Sequence, residues 1–192
     1  MKVLGATGGI GSGKTTVCGI FKTLGVPVFS SDEVSKDILF TPHIQKKVEE
    51  LFGDQVLQNG VLSKQKLAKY IFSSEDALES LNQLLHPKVS EAFETWKKHQ
   101  KHNVVIKEAA ILFESGGDKS CDYVLNVYCS EQERIRRVLL RDDRSELEIK
   151  AIIARQWSDN ERKKHSDFTI NNESEKLIPQ VLNLYATLMD KV

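Results

Sequence analysis

The residue types that could do chemistry are concentrated near the amino terminus, where a run of glycines precedes a lysine and a threonine. Residues 8–15, Gly-Gly-Ile-Gly-Ser-Gly-Lys-Thr, match the pattern G-x-x-x-x-G-K-[ST]. Glycine lets the backbone take left-handed conformations, so that successive N–H groups converge on one anion. Lys14 would contact the β- and γ-phosphates of a nucleotide, and the Thr15 hydroxyl would coordinate Mg²⁺ beside them. The alternative is a glycine-rich turn that binds nothing. The predicted nucleotide contacts of this loop are Gly9, Ile10, Gly11, Ser12, Gly13, Lys14, Thr15 and Thr16.

Elements on either side of this loop would hold it in place. The short apolar segment Val3 to Thr7 predicts a strand before the loop. Apolar residues at helical spacing after the loop predict a helix that ends at Gly25. The unpaired N–H groups and the dipole of a helix N-terminus favour negative charge. Strand, glycine loop and helix in this order are the context that the phosphate-binding pattern requires.

An acidic residue follows the second predicted strand. The apolar run Val26 to Phe29 predicts a strand parallel to the first, and Asp32 lies just beyond it. The carboxyl ends of parallel strands are where α/β sheets bind ligands. There Asp32 would accept a proton from an acceptor hydroxyl, or orient that hydroxyl, during phosphoryl transfer. The alternative is structural, since an acid in the first turn of a helix is ordinary.

The chain from Thr41 to about Gln100 predicts an almost wholly helical insertion between two strands. Breaks are expected near residues 52–54 and 58–60, where glycines occur. His86-Pro87 marks a further boundary, with Pro87 as the first residue of a new helix. Taken alone, His86 is more typical of such a junction than of a ligand contact.

Three later segments complete the predicted sheet. Val104 to Glu108 is rich in β-branched residues and predicts a central strand, and Tyr123 to Tyr128 predicts another. Asp167 to Asn172 predicts a last short strand and turn, followed by a closing helix. Glu108 would occupy the acidic position that many phosphate-loop proteins use to hold the water shell of the metal.

Arginines are concentrated between residues 131 and 165, mixed with acidic residues. A charge-laced helix is typical of a solvated face. A helical lid over a triphosphate also needs arginine, because a planar guanidinium contacts the transferring phosphoryl group through two hydrogen bonds. The pattern further predicts a helix that continues from Glu146 to Lys164. The arginines in its basic part are Arg134, Arg136, Arg137, Arg141 and Arg144.

Composition excludes several classes of function. The 192 residues carry 27 Lys and Arg against 27 Asp and Glu, so no net charge would draw the chain to nucleic acid or an anionic membrane. Three scattered cysteines, Cys18, Cys121 and Cys129, predict reduced thiols. No apolar run approaches membrane-spanning length, and the first strand follows Met1 too closely for a signal peptide. These features predict a cytoplasmic protein.

Five apolar strands that alternate with helices predict a doubly wound α/β fold with a parallel sheet. The chain lacks the Asn-Lys-x-Asp tetrapeptide that reads guanine in switch GTPases. A small-molecule phosphotransferase is therefore the favoured class. The alternative is a nucleotide-gated switch or binding module, which would bind a triphosphate without consuming an acceptor.

Several segments, which span nearly the whole chain, together resemble the dephospho-coenzyme A kinase family. The Thr-Gly-Gly-Ile-Gly-Ser-Gly-Lys loop and the His-Pro element are the most specific of them, whereas the phosphate loop alone is shared by many kinases. The segments are Thr7 to Thr16, Asp32, Leu81-Asn82 through His86-Pro87, Leu112-Phe113-Glu114, Arg141-Asp142, Gln156 and Ile170-Asn171-Asn172.

The resemblance implies a P-loop NTPase-type doubly wound parallel sheet with an inserted helical substrate-binding region and a helical lid. It implies that the γ-phosphoryl of ATP is transferred, with Mg²⁺, to the ribose 3′-hydroxyl of dephospho-coenzyme A, in the last step of coenzyme A synthesis. The protein would be a monomer or small homo-oligomer, with ATP and dephospho-CoA as its partners. The implied parts are a nucleotide-binding core of about 1–30, 101–130 and 166–192, a substrate region of about 31–100 and a lid of about 131–165.

The resemblance also implies roles for individual residues. The implied site consists of catalytic Asp32, Lys14 and Arg141; nucleotide-binding Arg141 and Asn172 in addition to the loop; substrate-binding Asp32, His86 and Glu114; and metal-binding Thr15 and Glu108. The family usually has a further Asp where Ser30 stands, which leaves Asp32 as the sole acid there, and a proline where Ala110 stands. The runner-up is a kinase of the nucleoside monophosphate or shikimate type on the same core.

Overall fold

The computed structural model describes residues 1–191, and the chain forms two compact units. The sheet unit comprises Met1–Ser30 and the chain from Lys97 onward, and the helical unit comprises Ser31–Trp96. Each unit has a hydrophobic cluster of its own. Within residues 1–191, none of the helices combines the length and the apolar composition that a membrane span requires.

Five strands form the sheet of the sheet unit. They are β1 Lys2–Thr7, β2 Val28–Ser30, β5 Val104–Glu108, β6 Tyr123–Tyr128 and β7 Phe168–Asn171. Their spatial order is β2-β5-β1-β6-β7, and all neighbours are parallel. The central strands are buried along almost their whole length, as their continuous apolar runs indicate. The strands predicted near residues 3–7, 104–108 and 123–128 are thus confirmed.

Nine helices are defined in the described residues 1–191. They are α1 Lys14–Thr23, α2 Ser31–Leu39, α3 Pro42–Phe52, α4 Lys64–Ser73, α5 Glu75–Lys98, α6 Glu131–Arg141, α7 Glu146–Ala154, α8 Asp159–His165 and α9 Leu177–Met189. Helices α2 to α4 and nearly all of α5 lie in the helical unit.

Helices α1 and α9 pack against the sheet. Val17 and Phe21 of α1 and Val181 of α9 are fully buried in the same hydrophobic cluster as Leu4 and Ile106 of the strands. Each such side chain stabilises the fold by roughly 1.5–3 kcal/mol relative to exposure. This packing fixes the start of α1 at the carboxyl end of β1, with only residues 8–13 between them.

The predicted lid segment forms three helices. A continuous helix from Glu146 to Lys164 was the expectation, and it is wrong, because α7 ends at Ala154 and α8 begins at Asp159. Ser158 accepts the backbone N–H of Glu161, and the Glu161 carboxylate accepts the backbone N–H of Ser158. This capping box starts a new helix, and its Ser-x-x-Glu spacing is visible in the sequence.

The helical unit contains a short hairpin that the sequence prediction missed. Strands β3 Leu57–Gln58 and β4 Val61–Leu62 are antiparallel and are joined by Asn59 and Gly60. Both connecting residues have positive φ, 53° and 75°, as a type I′ hairpin turn requires. The Asn-Gly pair was interpreted only as a helix break, although it is also a strong hairpin signal.

Pro87 does not begin a helix as predicted, because it lies inside α5. Proline lacks the N–H that would bond the carbonyl four residues earlier, so a helix usually ends before it. Here the buried positions Leu81, Leu85, Val89 and Phe93 continue at four-residue spacing on both sides of the proline. The free energy gained by burying this apolar stripe is larger than the cost of the missing backbone hydrogen bond.

Candidate active site

The glycine loop between β1 and α1 has the conformation that an anion site needs. Gly11 and Gly13 have φ values of 80° and 90°, in the region that favours glycine. A Cβ at Gly13 would lie 2.1 Å from Nδ2 of Asn172, so a side chain is excluded there by space as well. Gly13 is the N-cap of α1, and the first turn of that helix contains no acid. The helix N-terminus is therefore open to a negative ligand.

A cavity of about 390 Å³ lies at this helix N-terminus. Its lining contains three cationic side chains and no carboxylate. A polyanion fits such a lining, because the charges and the loop N–H groups act on it together. The lining residues are Gly11, Gly13, Lys14, Thr15, Thr16, Arg137, Arg141 and Asn172.

Lys14 is buried at the base of this cavity. Its Nζ donates a hydrogen bond to the Gly8 carbonyl at 2.9 Å, which holds the ammonium group against the loop. A fixed ammonium group acts on phosphate oxygens as a compact point charge.

Thr15 and Glu108, the predicted metal contacts, lie together. Thr15 Oγ1 donates to Glu108 Oε1 at 3.0 Å. Glu108 is the last residue of β5, is 7% exposed, and is the register partner of Ala6 in β1. A hydroxyl and a carboxylate are hard oxygen ligands, which suit Mg²⁺. Residues 1–191 contain no group of three or more His, Cys, Asp and Glu side chains that could hold a metal ion.

Asn172 connects the last strand of the sheet to the loop. Its Nδ2 donates to the Ser12 carbonyl at 2.7 Å, and its own carbonyl accepts from Arg137 Nη2 at 2.8 Å. Arg137 Nε also donates to Glu133 Oε1 at 2.8 Å. Arg137 therefore lines the cavity in a fixed orientation.

Arg141 lines the same cavity but is exposed. Its Nε and Nη2 donate to the two carboxylate oxygens of Asp142 at 2.8 and 3.1 Å. These hydrogen bonds lower the pKa of Asp142 and raise the pKa of Arg141. A phosphate group that binds Arg141 must therefore compete with the neighbouring carboxylate.

Gln156 joins the glycine loop to the loop that follows β5. Its Oε1 accepts the Ile10 N–H at 2.9 Å, and its Nε2 donates to the Ala110 carbonyl at 3.1 Å. The next residue, Trp157, stacks on Phe113 with ring centroids 4.8 Å apart and planes 6° apart. One amide side chain thus fixes the relative positions of two loops.

The dephospho-CoA kinase family model matches residues 2–177. The chain belongs to the dephospho-CoA kinase family. A dephospho-CoA kinase from Bacteroides fragilis (strain YCH46) is 40% identical over 192 residues, which cover 98% of this chain and 94% of the relative.

Two solved structures are similar to this dephospho-CoA kinase family member. TT1252 from Thermus thermophilus has a TM-score of 0.87 and is 28% identical in sequence. The match covers 100% of this chain and 98% of the TT1252 chain. A dephospho-CoA kinase from Campylobacter jejuni has a TM-score of 0.71 at 23% identity, covers 98% of both chains, and shows a shared fold. The predicted family, the α/β fold and the kinase class are confirmed. The match favours this family over the runner-up kinases and over the switch class.

Three predicted nucleotide contacts of this dephospho-CoA kinase family member do not line the cavity. Gly9 packs against Arg134 and Arg162, the Ile10 N–H is bonded to Gln156, and the Ser12 carbonyl accepts from Asn172. Their contact with a nucleotide stays a prediction.

The predicted substrate contact Glu114 lies at a structural junction. It is half-buried and accepts the backbone N–H of Trp157 at 2.7 Å. This bond holds the segment between α7 and α8 against the loop that follows β5. Its role toward substrate stays a prediction.

Asp32 and His86, also predicted substrate contacts, belong to the helical unit. Asp32 lies in the first turn of α2, directly after β2, and His86 lies inside α5. His86 is half-buried, and burial lowers its pKa. Their approach to the phosphate loop stays a prediction.

Two residues of the site were missed or given no role. Arg137 lies one helical turn before Arg141, so the two share a face of α6, and this spacing is readable in the sequence. Gln156 appeared only as part of the family resemblance, and its bonds to two distant loops have no local sequence signal.

Proposed function

We propose that this protein transfers the γ-phosphoryl group of ATP to the ribose 3′-hydroxyl of dephospho-coenzyme A, giving coenzyme A and ADP. This is the final step of coenzyme A biosynthesis. The observation that carries the proposal is the cationic cavity at the N-terminus of α1, in a chain whose family match covers residues 2–177. We further propose that it acts in the cytoplasm as a monomer or small homo-oligomer.

The glycine loop would bind the phosphates of ATP. Gly11, Gly13 and residues 14–16 line the cavity, so their backbone N–H groups would bind the phosphates. Lys14 would place its charge between the β- and γ-phosphates. Arg137 and Arg141 would contact the transferring phosphoryl group, where a guanidinium offers two parallel hydrogen bonds. Asn172 supports the loop by its bond to the Ser12 carbonyl. Segment 131–165 would act as the lid over the nucleotide.

Thr15 and Glu108 would hold Mg²⁺ at the mouth of the loop. When bound, the ion would neutralise phosphate charge and keep the phosphate oxygens oriented for transfer. The Thr15 hydroxyl offers a direct oxygen ligand, and the buried Glu108 carboxylate would orient the hydroxyl or a water ligand. Mg²⁺ is commonly held by one or two protein oxygens together with substrate phosphates, which fits this small donor set.

Residues of the helical unit would contact the acceptor substrate, dephospho-CoA. Asp32 would accept the proton of the 3′-hydroxyl or orient that hydroxyl toward the phosphorus atom. His86, half-buried with a lowered pKa, would donate or accept a hydrogen bond as a neutral imidazole. Glu114 of the sheet unit would complete the substrate contacts.

The first experiment measures ADP release from ATP and Mg²⁺, with and without dephospho-CoA. Mass and phosphorus NMR spectra of the product then locate the new phosphate. We expect turnover that depends on dephospho-CoA and yields a 3′-phosphate. Nucleotide binding without acceptor-dependent turnover would contradict the proposal, and a panel of nucleoside monophosphates and shikimate would then identify another acceptor.

The Asp32→Asn variant tests the catalytic role. We expect a loss of roughly 10²- to 10⁴-fold in turnover, the range for a positioned acid-base group, with normal thermal stability. The control is Glu33→Gln, because Glu33 lies in the same first turn of α2 and is exposed. If both variants lose the same stability and Asp32→Asn turns over normally, Asp32 serves only the helix.

A further inference from the structure

Two arginines of the sheet unit are buried, which is rare for this residue type. Arg134 of α6 is 2% exposed and Arg162 of α8 is 1% exposed. Both pair with one carboxylate. Arg134 Nη2 lies 3.0 Å from Asp159 Oδ2, and Arg162 Nη2 bonds Asp159 Oδ1. Residues 134, 159 and 162 form a group that we call the arginine cluster.

The arginine cluster contacts the phosphate loop at Gly9. A Cβ at Gly9 would lie 2.1 Å from Arg134 Nη1 and 3.1 Å from Arg162 Nη2. The φ of Gly9 is not in the left-handed region, unlike those of Gly11 and Gly13. A side chain at position 9 would therefore have to displace the guanidinium groups, whereas the backbone φ does not itself demand glycine.

The arginine cluster carries more positive than negative charge. Its two cations face one anion, and in residues 1–191 neither guanidinium makes another ion pair. The remaining bonds are to neutral carbonyls: Arg134 Nε donates to the Cys129 carbonyl at 3.1 Å, and Arg162 Nη1 to that of Trp157. Asp159 is thus the one carboxylate in direct ion-pair contact with the two cations in residues 1–191, and Glu161 of α8, which is exposed, interacts with Arg162 only at longer range.

Two donors of the arginine cluster are also unsatisfied. Arg134 Nη1 and Arg162 Nε are buried and have no hydrogen-bond partner within the described residues. A buried charge without full compensation is strongly unfavourable in a low dielectric. A negative ligand at the adjacent loop would offset that cost, because Coulomb interactions are stronger there than in water.

We propose that Arg134 and Arg162 are positioning residues that act through Gly9, and that their surplus positive charge makes the loop select ligands by phosphate charge. The proposal rests on the proposed nucleotide binding. The preference for ATP over AMP should then depend on the arginine cluster. The alternative is that the cluster only packs α6 and α8 against the loop, in which case its loss would weaken all nucleotides equally.

The test compares the dissociation constants of AMP, ADP and ATP for wild type and for Arg134→Met by isothermal titration calorimetry. Methionine keeps an extended side chain and removes the charge. A unit charge about 10 Å away, at an effective dielectric of about 20, changes a binding constant by roughly tenfold per ligand charge. Without Mg²⁺, ATP carries two more negative charges than AMP. In titrations without Mg²⁺ we therefore expect the ratio Kd(AMP)/Kd(ATP) to fall by about a hundredfold, and the fall to persist at high salt because a buried charge is poorly screened.

Two further variants complete the test. Arg134→Lys keeps the charge and should restore the ratio even if all affinities fall. Lys163→Met removes the same unit of charge from an exposed position of α8 and should leave the ratio within about twofold at high salt. An equal loss for AMP, ADP and ATP in Arg134→Met would overturn the proposal.

Circular dichroism shows whether Arg134→Met folds. If it does not, Asp159→Asn decides the question, because it increases the positive charge and should raise the ratio. An unchanged or lower ratio would overturn the proposal. Wild-type turnover with dephospho-CoA distinguishes a failure of this inference from a failure of the proposed function. If wild type is active and Kd(AMP)/Kd(ATP) does not depend on the arginine cluster, only this inference fails. If wild type binds no nucleotide, the proposed function fails as well.

Discussion

Arg134 and Arg162 differ from Arg136 and Arg141 in environment, although all four occur in the same charge-rich stretch of the chain. Arg134 and Arg162 are buried against Gly9, where they share one carboxylate. Arg136 and Arg141 are exposed and pair with acids near them in sequence. Residue type and local charge pattern are therefore the same for arginines that shape the phosphate loop and for arginines that face solvent.

Buried and exposed arginines also differ in how strongly they affect stability and the site. Exposed ion pairs contribute little to stability, since solvent and salt weaken them. Buried charges interact strongly with the loop and with each other, so removing one affects the whole site. Arg141 is a mixed case, because it is exposed and also lines the cavity.

Among these arginines, the largest expected effect on turnover is at Arg141. In Arg141→Lys we expect turnover to fall by about 10²-fold, because lysine cannot make two parallel hydrogen bonds to the transferring phosphoryl group. ATP affinity should stay largely unchanged. Rapid-quench kinetics measures the chemical step, and Arg144→Lys is the control, since Arg144 is an exposed neighbour of Asp142. An unchanged rate would place Arg141 among the solvated arginines.

The Gly9→Ala variant tests the contact between Gly9 and the buried Arg134. The new methyl group would lie 2.1 Å from Arg134 Nη1, so we expect a loss of about 1–3 kcal/mol in the free energy of unfolding. Gly19→Ala is the control, because a Cβ at Gly19 in α1 meets no atom within 4 Å. That change should stabilise by about 0.5–1 kcal/mol, the helix-propensity difference. Urea denaturation measures both, and equal effects would contradict the tight contact.

Buried and exposed groups also differ in their response to pH. Burial raises the pKa of Cys18 to about 12, whereas hydrogen bonds from Arg136 and Arg137 lower the pKa of Glu133 to about 2. The unfolded state releases the Cys18 proton near pH 8.5, before the folded state does, so stability is lost as pH rises from there towards 12. The slope reaches at most about 1.4 kcal/mol per pH unit for this thiol.

Urea denaturation at several pH values above 8 measures this slope. Cys18→Ala should make the curve flatter in this range, whatever its effect on stability at neutral pH. The contribution of Glu133 has the opposite sign: it is present above the unfolded pKa of about 4.3 and is lost only as pH falls towards 2. An equal slope in wild type and Cys18→Ala would show that Cys18 is not the titrating group.

The smallest effect is expected at Arg136. Arg136→Gln removes an exposed partner of Glu133, so melting temperature and turnover should both stay unchanged. Differential scanning fluorimetry and the ADP-release assay are sufficient to test this. A clear fall in melting temperature or turnover would abolish the distinction between buried and exposed arginines.

The phosphate loop is predictable because each of its requirements is local. Its glycines, lysine and flanking apolar runs all lie within the first 25 residues. The Thr15–Glu108 contact could also be predicted from the sequence, because parallel strands bring their carboxyl ends to one edge of the sheet. Pro87 is different: the local rule predicts a helix start, and the burial of residues on both sides of the proline overrides it.

The arginine cluster and Gln156 could not be predicted from local pattern. Which arginine is buried depends on the face of α6 that packs against the loop, and the charge pattern is similar around that helix. Gln156 bonds Ile10 and Ala110, which are far away in sequence and have no motif in common. Such contacts follow from tertiary packing.

The two side-chain bonds that hold the glycine loop have a consequence for the order of synthesis. The Ile10–Gln156 and Ser12–Asn172 bonds join residues separated by 146 and 160 positions. A ribosome that adds about 5–20 residues per second needs roughly 10–30 s to translate that length. The glycine loop therefore stays without these two supports until Gln156 and Asn172 have been translated. If the loop binds nucleotide as proposed, its final shape forms only at that stage of synthesis.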